Sequence, residues 1–277
     1  MSDILSEMSD TQASPLTKDF KIDLPEDVSF IINTIEKNGH QAYAVGGCVR
    51  DTIMGVTPND WDITTNALPE EVKSYFTKTI DTGIQHGTVT VMLHSTGYEV
   101  TTYRIDGDYL DGRHPSSVEF SDRLTDDLCR RDFTINAMAY NERTGLVDEY
   151  GGIDDINNKV IRCVGRPEER FTEDALRMMR AIRFSAQLGF TIEDNTYKAI
   201  EKLSANIQKV SMERVCVELK KTLMSDNPDF CRLYGTTNLF KDILPQLHDS
   251  FTKRQSKRIL LTCKYSEKEL PLRLTAC

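Results

Sequence analysis

Asp60-Trp61-Asp62 sets two carboxylates two residues apart in a short run, WDITT, that reads as a strand. Successive strand side chains point to opposite faces. Asp60 and Asp62 are therefore expected on one face, with Trp61 turned toward the core. Two acids on one face repel each other unless a cation sits between them. Mg²⁺ prefers few carboxylates together with phosphate oxygens, so the pair is a candidate metal site; a solvated turn explains the same tripeptide. Just upstream, AYAVGG is an apolar run ending in Gly46-Gly47, and VRDTIMG reads as a helix carrying Arg50. A strand–glycine turn–helix frees backbone N–H groups for an anion at a helix start. Gly46, Gly47 and Arg50 are thus candidate phosphate contacts, against the plainer reading of a left-handed turn with a surface arginine.

The elements around these residues follow from periodicity and turn chemistry. A helix is expected over Leu24–Asn38 from Val28, Ile31, Ile32 and Ile35, closed by Gly39, and another opened by Asn66 or by 68–70 and running through Phe76. HGTVTVML and YEVTTYR are β-rich runs split by Ser-Thr-Gly, an expected antiparallel pair. Glu99, on the second run, shares a face with Thr101 and Tyr103. Residues 105–119, rich in Gly, Asp and Pro, read as a loop. From Leu124 the chain turns helical, with a break near Phe133. Glu173–Leu188 reads as one amphipathic helix with Ala175, Met178, Met179, Ile182 and Ala186 as its apolar face and Gly189 as its stop. Asp174 and Arg177, at i and i+3, then lie opposite that face as neighbours. Such a pair ordinarily makes a surface salt bridge. Further helices are expected near 195–204 and 211–224.

Composition limits the alternatives. With 277 residues, 39% hydrophobic and 28% charged, the chain fits a globular protein of one or two domains. No apolar run approaches the ~20 residues of a membrane span, and the polar, acidic N-terminus lacks a signal-peptide pattern. Seven scattered cysteines without a CxxC pair argue against disulfides or zinc and fit a reducing cytoplasm. Cys48 reads as a small residue in a tight turn. The net charge of −9 divides unevenly. Residues 1–158 hold 12 basic against 28 acidic residues, a balance of −16, and residues 159–277 hold 22 against 15, or +7. An acidic front half suits metal binding and a basic rear half suits a polyanion; solvated helix faces explain single charges equally well.

Taken together, GGxVRDxxxGxxxxDxD resembles the polymerase-beta-like nucleotidyltransferases, and within them the class II (bacterial-type) tRNA CCA-adding enzymes and poly(A) polymerases. The resemblance runs from about Leu24 to Leu247. It includes RRDFTINAM from Arg130, DEYGG from Asp148 and EDALRMMR from Glu173. It implies an α+β fold: a head with a mixed sheet and flanking helices at 25–150, after a flexible leader at 1–24, then an all-α neck at 151–250 and an atypical tail at 251–277. It also implies that Glu99 is a third catalytic acid beside Asp60 and Asp62, and that Arg131 and Asp132 meet the ribose. Arg130 would belong to a salt-bridge network. Asp174 and Arg177 would read the base, and Arg180 and Arg183, continuing the polar side, would hold phosphates.

The implied reaction is template-independent addition of C and A to tRNA 3′ ends from CTP and ATP with Mg²⁺. Poly(A) addition, or A-only or CC-only addition, shares the same head. A rival of another class is a catalytically weak RNA-binding remnant. Family members usually continue into further helical domains, whereas SKRILLTCKYSEKELPLRLTAC shows no family resemblance. The expectation is a truncated or frame-shifted product from about Gln255. The sequence leaves the oligomeric state open.

Overall fold

The structure, a computed structural model, describes residues 21–107, 118–245 and 248. Most of the expected leader and the whole tail from 251 lie outside these residues, but Ile22 and Leu24 do not. Ile22 is buried in the core and Leu24 packs against it.

Helix α1 (Glu26–Lys37) buries Val28, Ile31, Ile32 and Ile35, the stripe that a 3.6-residue period puts on one side. The chain then enters β1 (Ala42–Val45), buried throughout, and turns through Gly46 into α2 (Gly47–Ile53). β2 (Asp62–Thr65), α3 (Pro69–Tyr75), β3 (Thr79–Gly83), β4 (Thr88–Leu93) and β5 (Thr96–Thr102) follow. β4 and β5 form the expected antiparallel pair, with Thr90 opposite Glu99. β5 also runs parallel to β2, with Ile63 opposite Val100. The strand carrying Glu99 therefore lies directly beside the one that Asp62 opens.

Three expectations are corrected here. The strand begins at Asp62, so Asp60 and Trp61 precede it, and Trp61 is only half-buried against the core. Pairing with Val45 opposite Asp62 ends the β1–β2 ladder there, which leaves Asp60 free of strand geometry. The ends of the expected loop at 105–119 pair as β6 (Arg104–Asp106) and β7 (Val118–Phe120); residues 108–117 lie outside the described residues. Beyond α4 (Leu124–Cys129), the chain does not stay helical. AYN and GLV become β8 (Ala139–Asn141) and β9 (Gly145–Val147), and β8 pairs with β1. The resulting seven-stranded mixed sheet has the order β3-β4-β5-β2-β1-β8-β9.

The remainder is mostly helical: α5 (Gly152–Asn157), α6 (Pro167–Glu173), α7 (Leu176–Leu188), α8 (Asp194–Leu203), α9 (Met212–Leu223), α10 (Arg232–Thr236) and α11 (Leu239–Ile243). One short parallel pairing joins β10 (Val160–Ile161) to β11 (Thr191–Ile192) within it. The helix expected over 173–188 is broken. Asp174 is extended at φ −137° and ψ 104°, so α6 ends before it and α7 starts after it. The expected apolar face of α7 is buried, and Gly189 closes the helix at φ +69°.

One apolar core runs through both regions. It joins α1 and the sheet to Phe133, Ile135 and Met138, and these to Met178, Met179 and Ile182 of α7. Phe133 meets Phe184 edge-on at 5.8 Å. Gly152 marks how closely the two regions approach. A Cβ there would lie 2.6 Å from the Thr134 carbonyl oxygen and 2.8 Å from Met138 Sδ. Gly152→Ala is expected to lower unfolding stability by about 1–3 kcal/mol, the usual range for overpacking. Thermal and urea unfolding of the variant against the parent checks this.

Candidate active site

The carboxylate end of the site forms where β1 stops and β2 starts. Gly46 leaves β1 at φ +86° and ψ −130° and donates its N–H to the Met138 carbonyl at 3.1 Å. A Cβ on it would lie 3.0 Å from Arg131 Nη1. Glycine is needed here both for its backbone angles and to let a guanidinium pass. Asp60 and Glu99 are exposed, and Asp62 keeps open surface although protein surrounds much of its carboxyl group. Burial pushes the Asp62 carboxyl up to about 6; the Arg131 guanidinium opposes this, and the charges of Asp60 and Glu99 add to it. Asp60 and Glu99 are therefore each near enough to raise the Asp62 carboxyl by repulsion, which is the donor chemistry that a hard divalent cation relieves. Among the described residues, no three His, Cys, Asp or Glu side chains close into a metal cage. A cation held here would complete its shell with water and phosphate oxygens. Cys48 is a buried thiol donating to the Val45 carbonyl, in keeping with its reading as a turn residue.

Beneath the acids lies a network of buried ion pairs. Asp127 is fully buried. It receives Arg130 Nη2 on Oδ1 at 2.5 Å, Arg131 Nη2 on Oδ2 at 3.0 Å, and the Thr64 hydroxyl at 3.2 Å. Burial acts to raise its carboxyl, but the two arginines outweigh it and hold it below the usual carboxylate range. Asp132 accepts from Asn136 at 3.1 Å and from the Phe133 amide at 2.9 Å. Its Oδ2 takes a fork from Arg180, Nε at 2.7 Å and Nη2 at 2.6 Å. Burial again opposes ionisation, but the Arg180 charge, with the hydrogen bonds of Asn136 and Arg180, brings this carboxyl down to about 2. Arg50 is likewise engaged. It grips Asp51 at 2.7–2.8 Å and Asn136 at 2.5 Å, and its guanidinium lies 5.2 Å from the Phe184 ring centre. Arg50 is thus buried, unlike the surface arginine of the plainer reading.

The Asp174–Arg177 pair is corrected in form. The two side chains do not bond each other, because Asp174 stands outside the helix that carries Arg177. Asp174 Oδ1 accepts from the Leu176 amide at 3.0 Å and Oδ2 from Arg214 Nη2 at 2.9 Å. Arg177 reaches Glu173 at 2.6 Å, and the carbonyls of Arg130 at 2.8 Å and Arg170 at 3.3 Å. Arg180 and Arg183 do not continue an open polar side either. Arg180 turns to Asp132. Arg183 is buried, 2.5 Å from Glu218 and 2.8 Å from Gln187, with its guanidinium 3.9 Å from the Phe184 ring centre.

The structure thus brings together Gly46, Gly47, Asp60, Asp62, Glu99 and Arg131 at one end. Asp132 and Arg180 form a bridge, and Asp174 and Arg177 stand at the other end, each with its own partner. Sequence reasoning missed Asp127, Asn136, Arg214 and Glu218. For Asp127 the signal was present: it sits three and four residues before Arg130 and Arg131, the spacing of neighbours on a helix. Arg214 and Glu218 gave none, since their partners lie forty and thirty-five residues away.

Residues 42–162 match the poly(A) polymerase head domain, and residues 189–251 match the probable RNA and SrmB-binding site of polymerase A. The chain is 54% identical over 198 residues to the CCA-adding enzyme of Leuconostoc mesenteroides, covering 72% of this chain and 49% of that protein. It is 50% identical over 210 residues to the CCA-adding enzyme of Ligilactobacillus salivarius, covering 76% and 51%. Among solved structures, it is similar to the Bacillus stearothermophilus CCA-adding enzyme in complex with CTP. That match has a TM-score of 0.71 and 37% identity, over 90% of this chain and 64% of the other. The chain spans about half the length of the curated relatives it matches.

The depressed Asp132 carboxyl gives a pH prediction. A folded-state value of about 2 against an ordinary 3.8 means that its contribution is present above about pH 4 and is lost as pH falls through about 2. Asp132→Asn should reduce unfolding free energy at pH 7 by about 2–3 kcal/mol, because it weakens a charged fork onto Arg180. The gap between the two proteins should narrow below pH 4. Urea unfolding of both from pH 7 to pH 2 measures it.

Proposed function

The chain belongs to the nucleotidyltransferase family of the CCA-adding enzymes and poly(A) polymerases, and from that premise we propose that it adds C and A to the 3′ ends of tRNA, using CTP and ATP with Mg²⁺. The observation that carries the proposal is the crowding of Asp60, Asp62 and Glu99 beside the Gly46-Gly47 turn. In this reading residues 25–150 are the catalytic head and 151–250 the neck. Among the described residues no helix is long and apolar enough to cross a membrane, and the proposed place of action is the cytoplasm.

Asp60 and Asp62 would hold the cation, which when bound makes the primer hydroxyl more acidic and neutralises triphosphate charge. Glu99, one strand over, would orient the attacking 3′-hydroxyl or accept its proton. The hydroxyl oxygen forms a bond to the α-phosphorus in line with the departing bridging oxygen, and pyrophosphate leaves. The glycine turn offers backbone N–H groups to phosphate oxygens, and Arg131 adds a guanidinium beside Asp62.

Base choice is assigned to Asp174 and Arg177. A carboxylate accepts from the exocyclic amino group of cytosine or adenine, and an arginine donates to the adjacent ring acceptor. Uracil and guanine present a carbonyl to the carboxylate and are rejected. Turning to the base would release Arg177 from Glu173 and from the carbonyls of Arg130 and Arg170, while Glu173 would keep Arg170 as a partner at 2.5 Å.

Primer extension tests the proposal. The protein, Mg²⁺ and labelled CTP or ATP are incubated with tRNA ending at the discriminator base, at −C or at −CC. The expected outcome is C addition to the first two and A addition to the third. Incorporation of ATP alone on every primer would point to a poly(A) or A-adding enzyme, and incorporation of CTP alone to a CC-adding one. No incorporation on any primer would favour the RNA-binding reading over the catalytic one. Asp62→Ala is expected to abolish turnover while leaving the thermal transition in place.

A further inference from the structure

Asp62 and Glu99 share one face of the sheet, and the strand register shows what continues that face away from the glycine turn. Thr90 of β4 lies opposite Glu99, and Ile80 of β3 lies opposite Thr90. One step back along the β2–β5 register from Ile63 and Val100 are Asp62 and Glu99. Asp62, Glu99, Thr90 and Ile80 therefore fall in one line across four neighbouring strands, about 5 Å from each strand to the next. Helices lie against the opposite face, where Tyr98 bonds Asp27 of α1 and Lys73 of α3 bonds Asp81. Alternation puts Ile80, and Lys78 just before β3, on the catalytic face. Past the register shift between Ile80 and Gly83, Thr82 joins them, its hydroxyl 2.8 Å from that of Thr90. The Thr90 methyl packs against Gly97, where a Cβ would lie 2.8 Å from it, and this leaves the Thr90 hydroxyl turned to Thr82.

Lys78, Ile80 and Thr82 are all exposed. Lys78 has no ion-pair partner among the described residues, and Glu99 is the one acid that β3, β4 and β5 put on this face among them. In a front half with a balance of −16, this is a local reversal: a free ammonium, a hydroxyl and an aliphatic side chain on the strand edge beyond the acids. In-line displacement sets the attacking oxygen and the departing pyrophosphate on opposite sides of the α-phosphorus. With the triphosphate on the Gly46-Gly47 turn beside β1, the primer comes in from the side of β5, β4 and β3.

We propose that the catalytic face of β3 seats the RNA primer just behind its 3′ end, which rests on Asp60, Asp62 and Glu99 being the catalytic acids. Lys78 pairs with one backbone phosphate, and the Thr82 hydroxyl, held by buried Thr90, donates to another. Ile80 lies between them as an apolar floor for a sugar. Such contacts fix the strand without reading base edges, so one seat serves a 3′ end at the discriminator base, at −C or at −CC.

Steady-state CTP incorporation by the whole chain on tRNA ending at the discriminator base, over a range of KCl, tests this. Lys78→Gln should raise the KM for tRNA about fivefold and leave kcat and the KM for CTP within about twofold. It should also flatten the slope of log(kcat/KM) against log[KCl] by about 0.7, the effect of one phosphate contact on a single strand. Lys78→Arg, which keeps the charge, should restore the slope. Thr82→Val should raise the KM for tRNA about threefold, the size of one neutral hydrogen bond, with the slope unchanged, and Thr82→Ser should recover it. Lys37→Gln makes the same charge change at an exposed site on α1, against the other face, and should match the parent. An unchanged KM and slope in Lys78→Gln overturns the inference and leaves the catalytic reading standing, since the parent still incorporates CTP. A rise in the KM for CTP instead would put Lys78 on the triphosphate and overturn it too. So would an equal effect of Lys37→Gln, which would be one of net charge. A parent that incorporates nothing removes the catalytic reading, and this inference with it.

Discussion

A carboxylate sealed from water must find compensation or give up its charge, and Asp132 keeps its charge because Arg180 reaches it with two guanidinium nitrogens at 2.7 and 2.6 Å. The two residues come from different regions of the chain. Asp132 follows α4 at the edge of the sheet region, and Arg180 sits midway along α7. Their pairing fixes where the helix lies relative to the sheet, and therefore where Asp174 and Arg177 stand relative to Asp60, Asp62 and Glu99. Around it, Arg50 and Arg180 share the face of Phe184 with Arg183, and Asn136 bonds both Arg50 and Asp132. The glycine turn, the RRD segment and the α7 helix are joined through these few side chains.

The same network changes the meaning of the charge asymmetry. A rear half with a balance of +7 suggests a surface for a polyanion. Yet Arg170, Arg177, Arg180, Arg183 and Arg214 are each paired with an acid inside the protein. The exposed cations there include Lys198, Lys202, Lys209, Lys220 and Lys221. Arginine's rigid fork suits internal pairing, and lysine's hydrated point charge suits solvent. A phosphate backbone meeting this region would find these lysines and the exposed Arg162, Arg166 and Arg232, while the five paired arginines hold the site in shape.

Much of this was legible in the sequence where periodicity or a backbone requirement speaks. The stripes of α1 and α7, the β4–β5 hairpin and the glycine stops at 39 and 189 followed directly. The Asp60–Asp62 pair and the glycine turn could be singled out because their spacing is local, whereas the role expected of Glu99 came from the family resemblance. What the sequence left dark was partnership. Nothing in EDALR distinguishes an Asp174–Arg177 bridge from an Asp174 turned to Arg214, because helix spacing promises neighbours and the break at Asp174 removes them. Nothing in AYN or GLV competes with the helical pattern around them except the edge of β1 awaiting a partner, a tertiary demand that overrides three-residue propensities. Arginines drawn as phosphate ligands became internal ties for the same reason: their partners are distant in sequence.

The claim that one buried ion pair sets the sheet region and the helix in register is tested most directly by a double-mutant cycle in unfolding free energy. It compares the parent, Asp132→Asn, Arg180→Gln and the double variant at pH 7. The account expects the two substitutions to be strongly non-additive, with a coupling free energy of about 2 kcal/mol, within the range for residues sharing one charged network. A coupling below about 0.5 kcal/mol, the level of independent sites, would contradict it.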